Sequence, residues 1–193
     1  MPPPARPFWV LGFALGQPVR VTNGAQVAGT RTGITWNDDL GEFGVVYEGS
    51  PADAGENEEI YFVRMTSEGV LLGNPLRVTN LATNQNAPTV VWSGEDYGVV
   101  WYDSRFSDDE HPEVVFARIS RDGDEVLEEL QVTDHGGSGF GTHPSLAYGW
   151  NEDFPIGFLG DELVGRGEYA LVWNDKANDG APSQIMFTRY VRQ

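Results

Sequence analysis

Carboxylates that return at one place in a repeated pattern are the residues of this chain best suited to chemistry. Asp103 and Asp175 align at the ends of equivalent apolar runs, and Asp109 lies in the segment that follows the first of them. Ca²⁺ takes roughly six to eight hard oxygen ligands, so Asp103, Asp109 and Asp175 are the candidate metal ligands, with Ca²⁺ as the cofactor they suit. The first copy of the pattern departs from it, with Gly49 at the aligned position and Glu48 one residue earlier. Asp175–Gly180 (DKANDG) has the rhythm of a Ca²⁺ loop but carries Ala177 where an oxygen is needed. Asp and Asn also cap turns by bonding their own backbone, and the same residues serve that reading.

A second group suits ligand binding. Tyr102 and Phe106 stand beside the loop acids and offer rings on which a sugar can lie. His111 and His143 fall in neighbouring loops with His135. Imidazoles bind transition metals, but His135 and His143 are separated by 8 residues of Gly-rich chain, which matches no metal-binding spacing. Tyr102, Phe106, His111 and His143 are therefore the candidate ligand-binding residues. Arg64, Arg118 and Arg189 recur at the ends of three similar runs. An arginine triad can clamp a carboxylate. A residue present in every repeat more often serves the repeat, here by pairing with a neighbouring acid or carbonyl.

No catalytic signature is present. The chain has no Gly-x-Ser-x-Gly elbow, no His-Glu-x-x-His and no phosphate loop. Its carboxylates are abundant enough to leave glycosidase chemistry open. The formal net charge of −17 repels phosphate backbones and anionic lipid heads, which argues against nucleic acid and membrane surfaces as partners. There are no cysteines, so neither a disulfide framework nor a thiolate metal site is possible. No run approaches the ~18 apolar residues of a spanning helix. Phe8–Leu15 is apolar enough for the core of a secretion signal, but no small-residue cleavage site follows, and it reads as a strand.

The elements that must position these residues follow from a repeat. Thr32, Pro88 and Pro144 align with spacings of 56 residues. Each copy carries short β-branched and aromatic runs. First strands are expected at 33–36, 89–92 and 145–148, with Trp36, Trp92 and Tyr148 as core. Second strands are expected at 43–47, 97–101 and 169–173, and third strands at 59–64, 113–118 and 184–189. The fourth fall at 76–79 and 130–133. Second and third strands are apolar at nearly every position, which requires cover on both faces. Turn signals at Ser67–Gly69 and Arg121–Gly123 make the neighbours antiparallel. The third copy carries an insertion over 150–167, either a partner-binding flap or a cover for the fold's underside.

The fourth strand of the third copy is missing from its place. Its counterpart stands at the start of the chain. Gly12–Asn23 (GFALGQPVRVTN) matches Gly69–Asn80 (GVLLGNPLRVTN) at eight of twelve positions.

Ala87–Asp134, with Asp103-Ser104-Arg105 inside it, is similar to β-propeller repeats of bacterial secreted or surface proteins, which run P-x-V-x-W, G-V-x-W, D-x-R, E-I-x-F-x-R, D-G, R-V-T. Almost the whole chain outside 150–167 follows that pattern. WD40 and sialidase propellers are a poor match, because neither a Gly-His element nor a full Asp-box is present. The resemblance implies an all-β propeller in a secreted or surface location. It also implies that the loops between second and third strands, and between successive blades, share one face. Those loops hold the three histidines and the acids Asp53, Glu56, Glu58, Asp108, Asp109, Glu110 and Asp179.

The expected architecture is thus a closing strand over 8–23 and blades over 32–80, 88–134 and 144–193. Propellers usually have about four to eight blades. Three blades with a displaced strand therefore predict a six-bladed homodimer closed by strand exchange, or a piece of a longer propeller. The functional expectation is a non-catalytic binding module for a glycan or protein ligand. The alternatives are a carbohydrate-active hydrolase using loop carboxylates, and a purely structural assembly module.

Overall fold

The computed structural model describes residues 17–22, 26–51, 57–107, 109–151 and 166–191. The expected strand at Phe8–Leu15 and most of the insertion lie outside these residues. The β-branched and aromatic runs form β1 (Gln26–Asn37), β2 (Glu42–Pro51), β3 (Glu59–Thr66), β4 (Leu76–Arg77), β5 (Gln85–Trp92), β6 (Tyr97–Asp103), β7 (Glu113–Ile119), β8 (Val126–Gln131), β9 (Phe140–Asn151), β10 (Arg166–Lys176) and β11 (Gln184–Val191). They make three antiparallel sheets in chain order, β1-β2-β3-β4, β5-β6-β7-β8 and β9-β10-β11. The fold is all-β. Among the described residues no helix is long and apolar enough to cross a membrane.

Strand limits differ from the expectation at both ends of each sheet. The first strands run longer, and their pairing slips between Ala28 and Thr32, between Asn86 and Thr89, and at the β9–β10 step opposite Thr142–Ser145. The fourth strands end early. Val78 and Thr79 both donate their N–H to the carbonyl of Ile60, and Thr79 Oγ1 accepts from Ile60 N at 2.9 Å. Val132, Thr133 and Val114 repeat this arrangement. A side-chain oxygen thus replaces the next rung of the ladder, and the regular pairing stops at Arg77 and Gln131.

Apolar burial is continuous between successive sheets. Val46, Ile60 and Phe62 of the first sheet pack against Val90, Trp92 and Val99 of the second. Val100, Val114 and Phe116 of the second pack against Tyr169, Leu171 and Trp173 of the third. Gly44 and Gly98 make room for this stacking. A Cβ on Gly44 would lie 2.6 Å from the Tyr97 ring, and one on Gly98 would lie 2.4 Å from the Tyr169 ring. Trp92 is core, as expected, at 7% exposure.

The recurrent arginines serve the repeat. Arg64 pairs with Glu42 at 3.0 Å, Arg118 pairs with Asp96, and Arg189 pairs with Glu168 at 3.0 Å, each within its own sheet. The tyrosine of the following sheet then donates to the same acid, Tyr97 to Glu42 at 3.0 Å and Tyr169 to Asp96. Burial raises the pKa of both phenols, so both stay protonated donors.

Both faces of β2, β3, β6 and β7 are covered, as continuous apolar runs require. The third sheet is different. From Tyr169 to Trp173 its β10 buries every second residue, and β11 is largely exposed despite an equally apolar sequence.

Candidate functional site

β1, β5 and β9 are neighbours, one from each sheet, with β5 packed on β1 and β9 on β5. The pairing slips described above occur at the same level in each. Arg31, Ala87 and His143 occupy equivalent positions there, each 56 residues from the next. Ala87 and His143 have φ of 54° and 51°, in the left-handed region that non-glycine residues seldom adopt.

Glu48 holds two of these strands together. Its buried carboxylate accepts from Arg31 N at 3.0 Å and Ala87 N at 3.1 Å. Arg31 Nη1 then donates to Tyr102 Oη at 2.7 Å, and the guanidinium lies 5.7 Å from the centre of that ring. The Tyr102 ring in turn lies 6.0 Å from the exposed imidazole of His143. Glu58 completes the cluster. Its carboxyl pKa is raised first by burial and then by the charge of Glu48, and Arg31 opposes the shift. A guanidinium, a phenol ring, an imidazole and a carboxyl of raised pKa therefore gather at one end of β1, β5 and β9.

Of the four candidate ligand-binding residues, the fold brings Tyr102 and His143 together. Phe106 lies apart under Arg105, whose guanidinium is 5.3 Å from its ring. His111 points to Asp179 at 3.4 Å, between the second and third sheets. Arg31 was missed by residue type, because an isolated arginine in a turn-like stretch signals nothing. Its position in register with His143, just before Thr32 and Pro144, is the signal that marks it.

The three candidate metal ligands are not brought together. Asp103 is fully buried and accepts from Trp101 Nε1 at 2.9 Å and from Arg105 Nη2 at 2.6 Å. Asp175 accepts from Trp173 Nε1 at 2.8 Å and meets His135 Nε2 at 3.1 Å. The aligned pair thus shares one duty, holding the indole two residues back. Asp109 accepts from Asn84 Nδ2 at 3.0 Å. Among the described residues no three His, Asp or Glu side chains gather around a metal-sized point. Asp53, Glu56 and Asp108 lie outside the described residues.

The chain matches no protein-family model and no curated protein.

Proposed function

We propose that the three sheets are consecutive blades of a β-propeller, half of a six-bladed ring that a second copy completes. We propose further that the protein is a non-catalytic module that binds a saccharide at the inner-strand cluster. The convergence of Arg31, Tyr102 and His143 from three successive sheets carries this reading. A phenol ring offers a face for a pyranose, and a guanidinium beside it offers paired donors for hydroxyls or a carboxylate. A few convergent polar groups around an aromatic surface are the usual make-up of a small-molecule site. The positive φ at His143 supports the same reading, because strained backbone gathers at binding positions.

A glycan array followed by calorimetric titration tests it. One or more saccharides should be retained, and Tyr102→Ala or His143→Ala should each weaken binding by about tenfold, roughly 1.4 kcal/mol. An array that retains nothing, or unchanged affinity in both folded variants, defeats the proposal and leaves a purely structural module.

One observation favours a hydrolase instead. Glu58, with its raised pKa beside buried Glu48, has the environment of a general acid. Release of reducing ends from a retained glycan, lost in Glu58→Gln, would select that reading over simple binding.

A further inference from the structure

The first and third sheets each present an open apolar face, and the two faces are counterparts of a junction already filled inside the chain. Within the chain, Val46, Ile60 and Phe62 leave the first sheet and enter the second. Their equivalents in the third sheet are Val172, Ile185 and Phe187, exposed at 40%, 75% and 60%. The receiving residues of the second sheet include Val90 and Trp92, both buried. Their equivalents in the first sheet are Ile34 and Trp36, exposed at 63% and 44%.

The N-terminal segment already stands at this open junction. Val78 and Val132 follow the fourth strands and pack on the next sheet. Val21, in the same Arg-Val-Thr or Gln-Val-Thr context, packs on Val45, Tyr47, Tyr61, Val63 and Met65 of the first sheet. These five are the equivalents of Val99, Trp101, Val115, Ala117 and Ile119, on which Val78 packs. The segment 17–22 therefore lies where the fourth strand of a preceding sheet belongs, and among the described residues no third strand stands behind it. Beside it is a groove of about 310 Å³, lined by Val21, Ile34, Val45, Tyr47 and Met65 among others.

We infer that a second copy of this chain covers both faces, with the third sheet of each copy seated on the first sheet of the other and Val19–Thr22 of each paired to β11 of the other. The contact is head-to-tail, and such contacts form closed rings when the rotation closes. Three blades per copy give six for two copies, within the usual range of propellers, and nine for three copies, beyond it. This deepens the ring stated above and names its joint. The registers Tyr61–Arg77 and Val115–Gln131 predict that Arg20 lies opposite Met186 of the other copy.

Two measurements on the full chain test this. Light scattering at micromolar concentration should give twice the 21.2 kDa chain mass. Because the sequence has no cysteine, oxidised Arg20→Cys/Met186→Cys protein should run as a covalent dimer on a non-reducing gel. Phe187→Glu, at a side chain exposed in the single chain, should yield a folded monomer with its near-ultraviolet spectrum retained. A monomeric or trimeric wild type, or a double-cysteine protein that stays at the chain mass, overturns the inference. A monomer that still binds saccharide would leave the inner-strand site standing, since its residues come from one chain.

Discussion

Two carboxylates of the cluster at the end of β1, β5 and β9 divide their roles by environment. Glu48 has both oxygens occupied by backbone N–H donors. Glu58 carries the cost of their proximity, since burial and the Glu48 charge both disfavour its ionised form. The folded chain therefore holds a proton on Glu58 more tightly than the unfolded chain does. That contribution to stability is fully present below the ordinary value of 4.5 and is lost as pH rises through the raised folded value. Glu58→Gln removes an unfavourable charge at neutral pH and nothing in acid. Urea midpoints should be higher for the variant than for wild type at pH 7 and should converge near pH 4. A variant no more stable at pH 7 would mean that Arg31 already compensates the charge.

At the scale of the element, the repeat was legible because the first two copies solve the same local problem. The motif of Glu at the start of the third strand and Arg-Val-Thr or Gln-Val-Thr after the fourth is one hydrogen-bonded unit. Thr79 Oγ1 donates to Glu59 at 2.6 Å, and Arg77 Nη2 donates to the same carboxylate at 2.7 Å. In the second sheet Thr133 donates to Glu113 at 2.6 Å, and His135 takes the place of the arginine at 2.7 Å. The sequence pattern marked Thr79 and Thr133 as strand. Periodicity reports burial and not ladder partners, so the side-chain bond that ends each strand was invisible. Asp103 and Asp175, which spacing alone offers to a metal, each accept from an indole two residues back, a partner that spacing does not reveal. Thr133→Val should leave Val114 N and the buried Glu113 each short of a partner, at a cost of about 1–3 kcal/mol. Chemical denaturation should report that loss with an unchanged slope. A loss below ~0.5 kcal/mol would mean that His135 alone satisfies Glu113.

At the scale of the whole molecule, the proposed joint between copies is built from the same parts as the internal junctions, with two changes. Phe43 stands where Tyr97 and Tyr169 stand, packed on Trp36 at 4.8 Å as Tyr97 packs on Trp92 at 4.7 Å. Ala170 stands where Gly44 and Gly98 stand, opposite Arg189 as they are opposite Arg64 and Arg118. The changes belong together. The glycines exist because a methyl would meet the incoming tyrosine ring at 2.4–2.6 Å. With a methyl at 170 the incoming ring must sit higher, and a hydroxyl on it would not reach Glu168 as Tyr97 reaches Glu42. The joint therefore lacks the phenol–acid bond of the internal junctions, and Glu168 Oε1 is left without a donor. Restoring both halves of the pattern should strengthen the ring. Phe43→Tyr/Ala170→Gly should supply a hydrogen bond to a charged acceptor, worth about 1.5–3 kcal/mol, at each of the two joints. The gain should be seen as a lower dimer dissociation constant in sedimentation equilibrium. Phe43→Tyr alone should give little or none of it, because the methyl of Ala170 still holds the ring away. If the double variant dissociates as readily as wild type, the third sheet does not meet the first sheet of the other copy in the register of the internal junctions.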